Sequence, residues 1–278
     1  MDQELLSKRA ELTSSLARLG KVVVAYSGGV DSSLLAAVSH EVLGGESLAV
    51  TAASPALTAK GLREAIDLAN ARGWRHDVIA TDELAREEYA RNEPDRCYWC
   101  KTELFTLLRP IAEARGATVV VGTNADDLSD HRPGLVAAER NGVLTPLASA
   151  RLTKDDVRAL SSALELPTAT KPASPCLASR FAYGVRVTAD GLRRIERAEE
   201  LLHELGFPIV RVRDHGDVAR IEVPLDEVAT LASHAKEIGE RLRSFGFRYV
   251  TLDLSGFRSG SLNDVLLSPS FGRPPEQD

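Results

Sequence analysis

Short apolar runs alternate with longer helical segments through the first half of the chain, and this alternation constrains the fold more than any other feature. The runs of strand character are 21–26, 47–52, 75–81 and 118–122. Strands that alternate with helices of about 10–15 residues are typical of a parallel sheet with helices on both faces. We therefore predict an α/β fold. Such sheets bind ligands where their strands end, so we expect a site at the turns that follow 21–26 and 118–122.

The helical segments follow from apolar periodicity and from capping residues. We predict helices at 2–19, 32–43, 58–72, 84–91, 101–115 and 152–164, with a polar, turn-prone stretch at 92–99. The helix 152–164 has Thr153 at its start and Asp156 three residues later, the spacing of a capping box.

The pattern changes beyond residue 185 to helix 189–205, strand 208–214, turn 215–217, strand 219–223, helix 225–245 and strand 248–254. This order predicts a small C-terminal α+β domain. We expect a first domain at 1–170, a connector with Cys176 at 171–184, the small domain at 185–268 with substrate-binding or oligomerisation roles, and a tail at 269–278.

The turn after the first strand reads Ser-Gly-Gly-Val-Asp-Ser at 27–32. Two glycines let the backbone approach an anion, and successive N–H groups at a helix N-terminus form a phosphate nest. The pattern is neither the Walker motif nor the dinucleotide fingerprint. It resembles the signature loop of ATP pyrophosphatases, which split ATP into AMP and pyrophosphate. We assign six residues to ATP: Ser27, Gly28, Gly29, Val30, Asp31 and Ser32.

The turn at 122–127 places two carboxylates after another predicted strand. Carboxylates there suit Mg²⁺ bound to pyrophosphate oxygens. The alternative is that one of them only caps the following segment. We assign Gly122, Asn124 and Asp127 to ATP, and Asp31, Asp126 and Asp127 to magnesium.

The chain has three cysteines, two of them in a Cys-x-x-Cys motif: Cys97, Cys100 and Cys176. The motif suits a redox pair, half of a zinc site or an iron–sulfur cluster. A zinc site lacks a fourth cysteine, whereas three thiolates suit a [4Fe–4S] cluster with one iron open to a sulfide donor. The alternative is three buried thiols with no shared role. Arg180, close to Cys176 in sequence, would lower a thiol pKa and neutralise phosphate.

Four segments together resemble the LarE family of sulfur transferases in the PP-loop superfamily. They are 27–32, 94–101, 122–134 with Asp130 and Arg132, and 171–180, and the resemblance runs from about residue 10 to residue 255. It implies a PP-loop fold and the adenylation of a carboxylate of pyridinium-3,5-biscarboxylic acid mononucleotide. Sulfur then replaces AMP to give a thiocarboxylate for the nickel-pincer nucleotide. The resemblance also suggests a homo-oligomer.

Two versions of the chemistry exist in this family. Either the cysteine at position 176 gives up its own sulfur and becomes dehydroalanine, or three cysteines hold a [4Fe–4S] cluster that carries an extra sulfide. Because all three cysteines are present, this chain resembles the cluster version. We assign Cys97, Cys100, Cys176 and Arg180 to catalysis, with Lys101 as a further charge partner.

Strand period places Arg211 and Arg213 on one face of a predicted hairpin. Two adjacent guanidinium groups suit a phosphate and carboxylates, although Glu222 could simply compensate them on a solvated face. Ser179 and Trp99 complete the predicted substrate-binding set.

Charge and hydropathy limit the partners. The chain has 34 basic and 40 acidic residues, a net charge of −6, so no broad nucleic-acid surface is expected. No apolar run approaches the roughly 18–20 residues that span a bilayer, and the first ten residues do not read as a secretory signal, so we expect a cytoplasmic protein without membrane partners. The alternatives are a tRNA thiolase, an ammonia-using ligase such as NAD synthetase, and a non-catalytic ATP or cluster sensor.

Overall fold

The computed structural model describes residues 2–129, 133–172, 175–258, 260–262 and 264. The chain forms two compact units. The first contains residues up to 90 together with 94–176, and the second contains 91–93 together with the residues from 177 onwards. The predicted domain boundaries stay predictions, and the predicted tail 269–278, Asp130 and Arg132 lie outside the described residues.

The first unit contains four strands and eight helices among its described residues. The strands are β1 Val22–Ala25, β2 Ser47–Ala53, β3 His76–Ala80 and β4 Thr118–Val121. The helices are α1 Gln3–Leu19, α2 Val30–Leu43, α3 Ala59–Ala71, α4 Glu87–Ala90, α5 Arg96–Arg115, α6 Pro133–Arg140, α7 Pro146–Ser149 and α8 Lys154–Ala163. Short 3₁₀ turns lie at Gly44–Glu46, Glu83–Ala85 and Asp126–Ser129.

The four strands form one parallel sheet in the order β3-β2-β1-β4, as predicted. Val22 and Val24 of β1 belong to a core cluster with residues of α1 and α2. Val23 and Ala25 belong to a second cluster with residues of α5 and α6. Alternate side chains of a strand point to opposite faces, so helices cover both faces of the sheet. The predicted α/β class is confirmed.

The ends of β1 and β4 lie side by side, because Ala25 pairs with Val121. The turns that follow these strands therefore leave the same edge of the sheet. This confirms the expectation that the two polar turns of the sequence meet there.

Helix α5 corrects one prediction. The stretch 92–99 was expected to be turn-like throughout, with a helix from Lys101, but the helix begins at Arg96. Pro94 and Asp95 precede its first turn, and the Trp99 indole donates a 2.8 Å hydrogen bond to the Asp95 carboxylate. Proline and aspartate are common at helix starts. The polar residues that predicted a turn therefore mark the start of the helix. The Cys-x-x-Cys motif therefore lies in the first turn of α5.

The second unit contains a small mixed sheet with helices. Its elements are α9 Ala189–Glu204, β5 Arg211–Asp214, β6 Val218–Glu222, α10 Val228–Ser233, α11 Ala235–Ser244 and β7 Tyr249–Leu252, with 3₁₀ turns at Leu177–Arg180 and Leu225–Glu227. Strands β5 and β6 pair antiparallel, and β6 and β7 pair parallel. This confirms the α+β character of the C-terminal part.

The predicted single helix 225–245 is wrong in detail, because it is interrupted at His234. There the backbone N–H bonds the carbonyl of Leu231, three residues back, and a new helix starts when Ile238 N–H bonds the His234 carbonyl. The His234 ring packs edge-on against Phe207, with ring centroids 6.2 Å apart. This tertiary contact accompanies the break in the helix. The apolar periodicity of the sequence gives no sign of the break.

Candidate active site

The phosphate loop joins β1 to α2. Gly29 occupies the N-cap position of α2 without a side-chain cap, so the first N–H groups of the helix are available to an anion. The Ser32 hydroxyl accepts a 3.2 Å bond from Ser27 N–H and donates a 3.1 Å bond to the Gly29 carbonyl. The two serine hydroxyls lie 3.1 Å apart. The loop thus has the compact form that phosphate binding requires.

Two glycines let this loop pack closely. Gly28 has φ +70°, and a Cβ on it would lie 2.9 Å from the Cβ of Ala65. A Cβ on Gly122, just after β4, would lie 2.8 Å from the backbone nitrogen of Ser32. Because any side chain at Gly122 would collide with the backbone of the loop, the close approach of the two turns depends on this glycine.

Asp31 is held from two other segments of the first unit. The Asn124 amide donates to one carboxylate oxygen at 3.0 Å, and the Lys154 ammonium lies 2.5 Å from the other. The sequence pattern did not single out Lys154. Its position directly after Thr153 in the predicted capping box is the signal that could have identified it, because the box fixes where α8 starts. The capping box itself is confirmed.

The two carboxylates after β4 have backbone partners. Asp126 accepts a 2.7 Å bond from Lys154 N–H at the start of α8, and Asp127 accepts a 3.1 Å bond from Asn124 N–H. The Asn124 side chain accepts in turn from the N–H groups of both aspartates, at 3.0 and 3.3 Å. Both carboxylates therefore shape the turn. Carboxylate oxygens also remain the ligand type that Mg²⁺ prefers.

Lys171 is a second lysine beside the loop that the sequence pattern did not single out. Its ammonium donates to the Gly28 carbonyl at 3.1 Å and to the Glu64 carboxylate at 2.8 Å. Its place in the segment 171–180, ahead of Cys176, was the available signal. With Lys154, it puts two cationic groups next to a loop suited to phosphate.

The three cysteines belong to the first unit. Cys97 and Cys176 are exposed and Cys100 is half-buried, and none of the three forms a disulfide. Among the residues that the structure describes, no three His, Cys, Asp or Glu side chains lie together in an arrangement that could hold a metal ion. Thiolates are the ligand type for an iron–sulfur cluster, but the three thiols would have to move together to bind one.

Cys100 differs in protonation from an ordinary cysteine. Burial raises the pKa of its thiol to about 12, against the opposing charge of Lys101, and the charges of Cys176, Glu83 and Cys97 raise it further. Burial likewise raises the pKa of Tyr89, with smaller contributions from Cys176 and Cys100. Whether the three thiols share a role or act separately stays a prediction.

Trp99 packs locally. Its ring meets the ring of Tyr98 edge-on, with centroids 5.1 Å apart, and the Tyr98 hydroxyl accepts a 3.0 Å bond from Arg140. The indole N–H is occupied by Asp95, as described above. The role of Trp99 in substrate binding stays a prediction.

In the second unit, Arg180 forms a buried ion pair. Its guanidinium donates two 3.0 Å bonds to the Glu199 carboxylate, a two-point contact with fixed geometry. It also donates to the Ser179 hydroxyl at 3.1 Å. Glu199 accepts a further bond from Val212 N–H at 3.0 Å. The pair therefore fixes the turn that follows Cys176 onto β5.

The predicted hairpin is confirmed, with Arg211 opposite Glu222 and Arg213 opposite Arg220. Its polar face is only partly solvated, since Arg211 and Arg220 are half-buried, and this corrects the alternative of an open surface. Arg213 and Glu222 are buried, and Arg213 donates to the Glu222 carboxylate at 2.7 and 3.0 Å. Arg220 donates to the other oxygen of Glu222 at 3.0 Å. A buried carboxylate compensates two arginines here.

Arg211 has a different environment. It donates to the Val210 carbonyl at 2.7 Å, and its guanidinium lies over the Phe257 ring, 5.3 Å from the centroid. Burial and the nearby charge of Arg180 lower its pKa. A guanidinium beside other guanidinium groups is stabilised by an added anion, which keeps Arg211 a candidate for substrate binding.

The parallel sheet, the glycine loop at the end of β1 and the start of α2 together define an α/β protein of the ATP-pyrophosphatase, or PP-loop, type. No known protein-family model matches the sequence. Three curated proteins are similar over most of their length. An uncharacterized protein of Synechocystis sp. is 44% identical over 265 residues, covering 94% of this chain and 99% of that protein.

The pyridinium-3,5-bisthiocarboxylic acid mononucleotide synthase of Lactiplantibacillus plantarum is 40% identical over 264 residues, covering 94% of this chain and 96% of the synthase. An uncharacterized protein of Methanocaldococcus jannaschii is 34% identical over 240 residues, covering 86% of this chain and 91% of that protein. At this identity and coverage, the chain belongs to the LarE family, that of the synthase. Separately, none of the helices in the described residues is long and apolar enough to cross a membrane.

Proposed function

We propose that the chain is an ATP-dependent sulfur transferase. It adenylates a carboxylate of pyridinium-3,5-biscarboxylic acid mononucleotide and replaces AMP with sulfur, which gives a thiocarboxylate for the nickel-pincer nucleotide. The observation that carries this proposal is the 40% identity, over 94% of the chain, to a synthase whose name states that product. The phosphate loop described above supplies the site that such chemistry needs.

ATP binds with its phosphates at the loop 27–32. The N–H groups at the start of α2 contact the phosphates, since Gly29 leaves that helix end without a side-chain cap. Lys154 offsets the charge of Asp31, and Lys171 offsets that of Glu64, so these carboxylates do not oppose the phosphates. The substrate carboxylate attacks the α-phosphorus and pyrophosphate leaves, so the loop and the lysines act by positioning and by neutralising charge.

Magnesium fits the chemistry of the residues around the loop. One or two of the carboxylates of Asp31, Asp126 and Asp127 would hold it, because Mg²⁺ is usually bound through one or two carboxylates together with phosphate oxygens. When bound, it would neutralise charge on the departing pyrophosphate. The Asp31 carboxylate contacts both Lys154 and Asn124, whereas that of Asp126 contacts Lys154 and that of Asp127 contacts Asn124. These two residues therefore keep the carboxylates at the edge of the sheet.

We place sulfur delivery at the three cysteines. Cys97, Cys100 and Cys176 would hold a [4Fe–4S] cluster that, when bound, supplies a sulfide from an external donor. This part of the proposal is supported by the number and type of the thiols, three cysteines with two of them in a Cys-x-x-Cys motif. In the second unit Arg180, Ser179, Arg211 and Arg213 are proposed to bind the anionic groups of the substrate. Assembly with copies of the same chain and a cytoplasmic location stay predictions.

The proposal is tested with protein purified without oxygen. Iron, acid-labile sulfide and visible absorbance are measured first, and the protein is then incubated with ATP, Mg²⁺, sodium sulfide as the external sulfur donor and the pyridinium dicarboxylate. We expect AMP, pyrophosphate and thiocarboxylate in equal amounts by mass spectrometry. Cys176→Ser should still release pyrophosphate but make no thiocarboxylate. Absence of AMP and thiocarboxylate from the native protein would overturn the proposal.

Three further outcomes separate the alternatives. Protein lighter by one hydrogen sulfide, with the loss at Cys176, would show that the cysteine itself is the sulfur source. Full activity of Cys176→Ser with ammonia would indicate a ligase. Thiolation of tRNA, but not of the pyridinium nucleotide, would indicate a tRNA thiolase.

A further inference from the structure

Asn92 lies in a three-residue segment that belongs to the second unit, although its neighbours in sequence belong to the first. The chain enters the second unit at Arg91, returns to the first at Pro94 and enters the second again at Leu177. Cys97 follows the return at Pro94 within three residues, and Cys176 is the last residue before the second entry. Cys97 and Cys176 are therefore close in sequence to residues at which the chain passes from one unit to the other.

Asn92 is a rigid point of the second unit. It is fully buried, at 0% exposure, and has φ +59°, a backbone conformation that few residues other than glycine and asparagine adopt readily. Its side-chain amide donates to the carbonyls of Ala182 and Val185, at 2.8 and 3.1 Å. Its backbone carbonyl accepts a 3.2 Å bond from Gly184 N–H. Removal of the Asn92 amide would leave the carbonyls of Ala182 and Val185 without their hydrogen-bond donor, and an unpaired buried carbonyl destabilises the fold.

The loop that Asn92 binds is itself anchored. Ala182 N–H donates a 2.9 Å bond to the Asp214 carbonyl in β5. The preceding turn is held by the buried Arg180–Glu199 pair. Asn92 therefore bonds to a fixed part of the second unit, the part that directly follows Cys176.

We propose that Asn92 is a positioning residue for the three-cysteine site. Cys97 comes five residues after Asn92, and Ala182, whose carbonyl the Asn92 amide bonds, comes six residues after Cys176. Segments of five and six residues span at most about 18 and 22 Å when fully extended. Both cysteine-bearing segments therefore run from one hydrogen-bonded anchor, and the amide of Asn92 limits how far Cys97 and Cys176 can separate. The proposal rests on the proposed function in one respect, namely that the three thiols act together.

The test measures the encounter of the two thiols without any catalysis. Asn92→Gly keeps the backbone conformation and removes the amide, and Asn92→Asp keeps the shape but places an acceptor opposite two carbonyls. The matched control is Arg151→Gly, because Arg151 also has a positive φ, +56°, and is exposed in the first unit. All variants are made in the full chain with Cys100→Ala, so that only Cys97 and Cys176 react.

A short bismaleimide cross-links the two thiols, and a monofunctional maleimide gives the reactivity of each thiol alone. We expect the ratio of the cross-linking rate to the single-thiol rates to fall at least tenfold in both Asn92 variants and to stay unchanged in Arg151→Gly. Far-UV circular dichroism checks that each variant is folded.

An unchanged ratio in the Asn92 variants would overturn the proposal. So would an equal fall in Arg151→Gly, or loss of the folded signal in both Asn92 variants, since Asn92 would then support the whole fold rather than the placement of two thiols. Failure of the proposed function is separate, because it would appear as absent thiocarboxylate in the native chain whatever the cross-linking rates.

Discussion

The ammonium group of Lys154 lies 2.5 Å from a carboxylate oxygen of Asp31, so the acidic residue of the phosphate loop is paired with a lysine 123 residues further along the chain. Asn124, from a third segment, bonds the other oxygen of Asp31 at 3.0 Å. The negative charge of Asp31 would otherwise oppose a phosphate bound at the loop. Pairing with Lys154 removes that opposition, and it links the start of α8 to ATP binding.

Lys154→Met should therefore weaken ATP binding more than it weakens the fold. The side chains of Lys154 and Asp31 are 36% and 21% exposed, and pairs this open contribute only about 0.2–1 kcal/mol to stability. We expect ATP affinity, measured by isothermal titration calorimetry, to fall about tenfold, which corresponds to roughly 1.4 kcal/mol. The thermal midpoint should change by only a few degrees.

Lys21→Met is the matched control, because Lys21 forms an exposed pair with Glu46 at 3.1 Å away from the loop. It should leave ATP affinity unchanged. Equal losses of affinity in the two variants would show that Lys154 acts only through the net charge of the protein.

Gly122→Ala should disrupt the phosphate loop, because residue 122 follows the neighbouring strand β4 and lies against the backbone of the loop. The added Cβ would lie 2.8 Å from Ser32 N and 2.9 Å from the carbonyl carbon of Asp31, and backbone atoms cannot move aside as a flexible side chain can. Overpacking of this kind typically costs about 1–3 kcal/mol. We expect a lower urea midpoint and no measurable ATP binding.

Gly45→Ala is the control for this substitution. A Cβ on Gly45 would meet only the end of the Arg75 side chain, at 3.9 Å. Its urea midpoint and ATP affinity should match those of the native chain. Native ATP affinity in Gly122→Ala would contradict the close approach of the two turns.

The sequence predicts the sheet and the phosphate loop because both depend on local patterns. Val22–Ala25 is apolar on both faces, as a central parallel strand must be, and the two glycines before Val30 allow the loop to pack. The pairing of Asp31 with Lys154 and Asn124 could not be predicted in the same way. It depends on which strands are neighbours in the sheet, and no local period encodes strand order.

The second unit shows the same limit for charged residues. Strand period correctly places Arg211 and Arg213 on one face, but the period does not tell a solvated face from a buried one. Glu222 is fully buried and bonded by two arginines. Burial there depends on packing around the small sheet, which is a property of the tertiary structure.

Cys100 should react slowly with iodoacetamide. Only the thiolate reacts, and burial raises the pKa of Cys100 to about 12, so the group stays protonated at neutral and mildly alkaline pH. In the variant Cys97→Ser/Cys176→Ser, we expect the alkylation rate to keep rising through pH 10. The rate for an ordinary thiol would already level off above a pH of about 9.

The same variant in urea is the control, because unfolding exposes the thiol and restores an ordinary profile. A folded-state profile that levels off below pH 9.5 would contradict the protonated thiol.

Arg211→Met and Arg213→Met should separate substrate binding from support of the fold. Removal of Arg213 leaves the buried carboxylate of Glu222 without its two-point partner, and breaking a buried pair in this way costs on the order of 3 kcal/mol. Arg211 lies over Phe257 and donates to a carbonyl, contacts whose loss costs roughly 1 kcal/mol.

Arg211→Met should therefore keep a nearly native denaturation midpoint and lose affinity for the pyridinium nucleotide. Arg213→Met should unfold at lower denaturant, and its loss of substrate affinity should be recovered in part by a stabilising osmolyte. If Arg211→Met binds the nucleotide as the native chain does, the arginine face of β5 supports the fold only, and the anionic groups of the substrate are bound elsewhere.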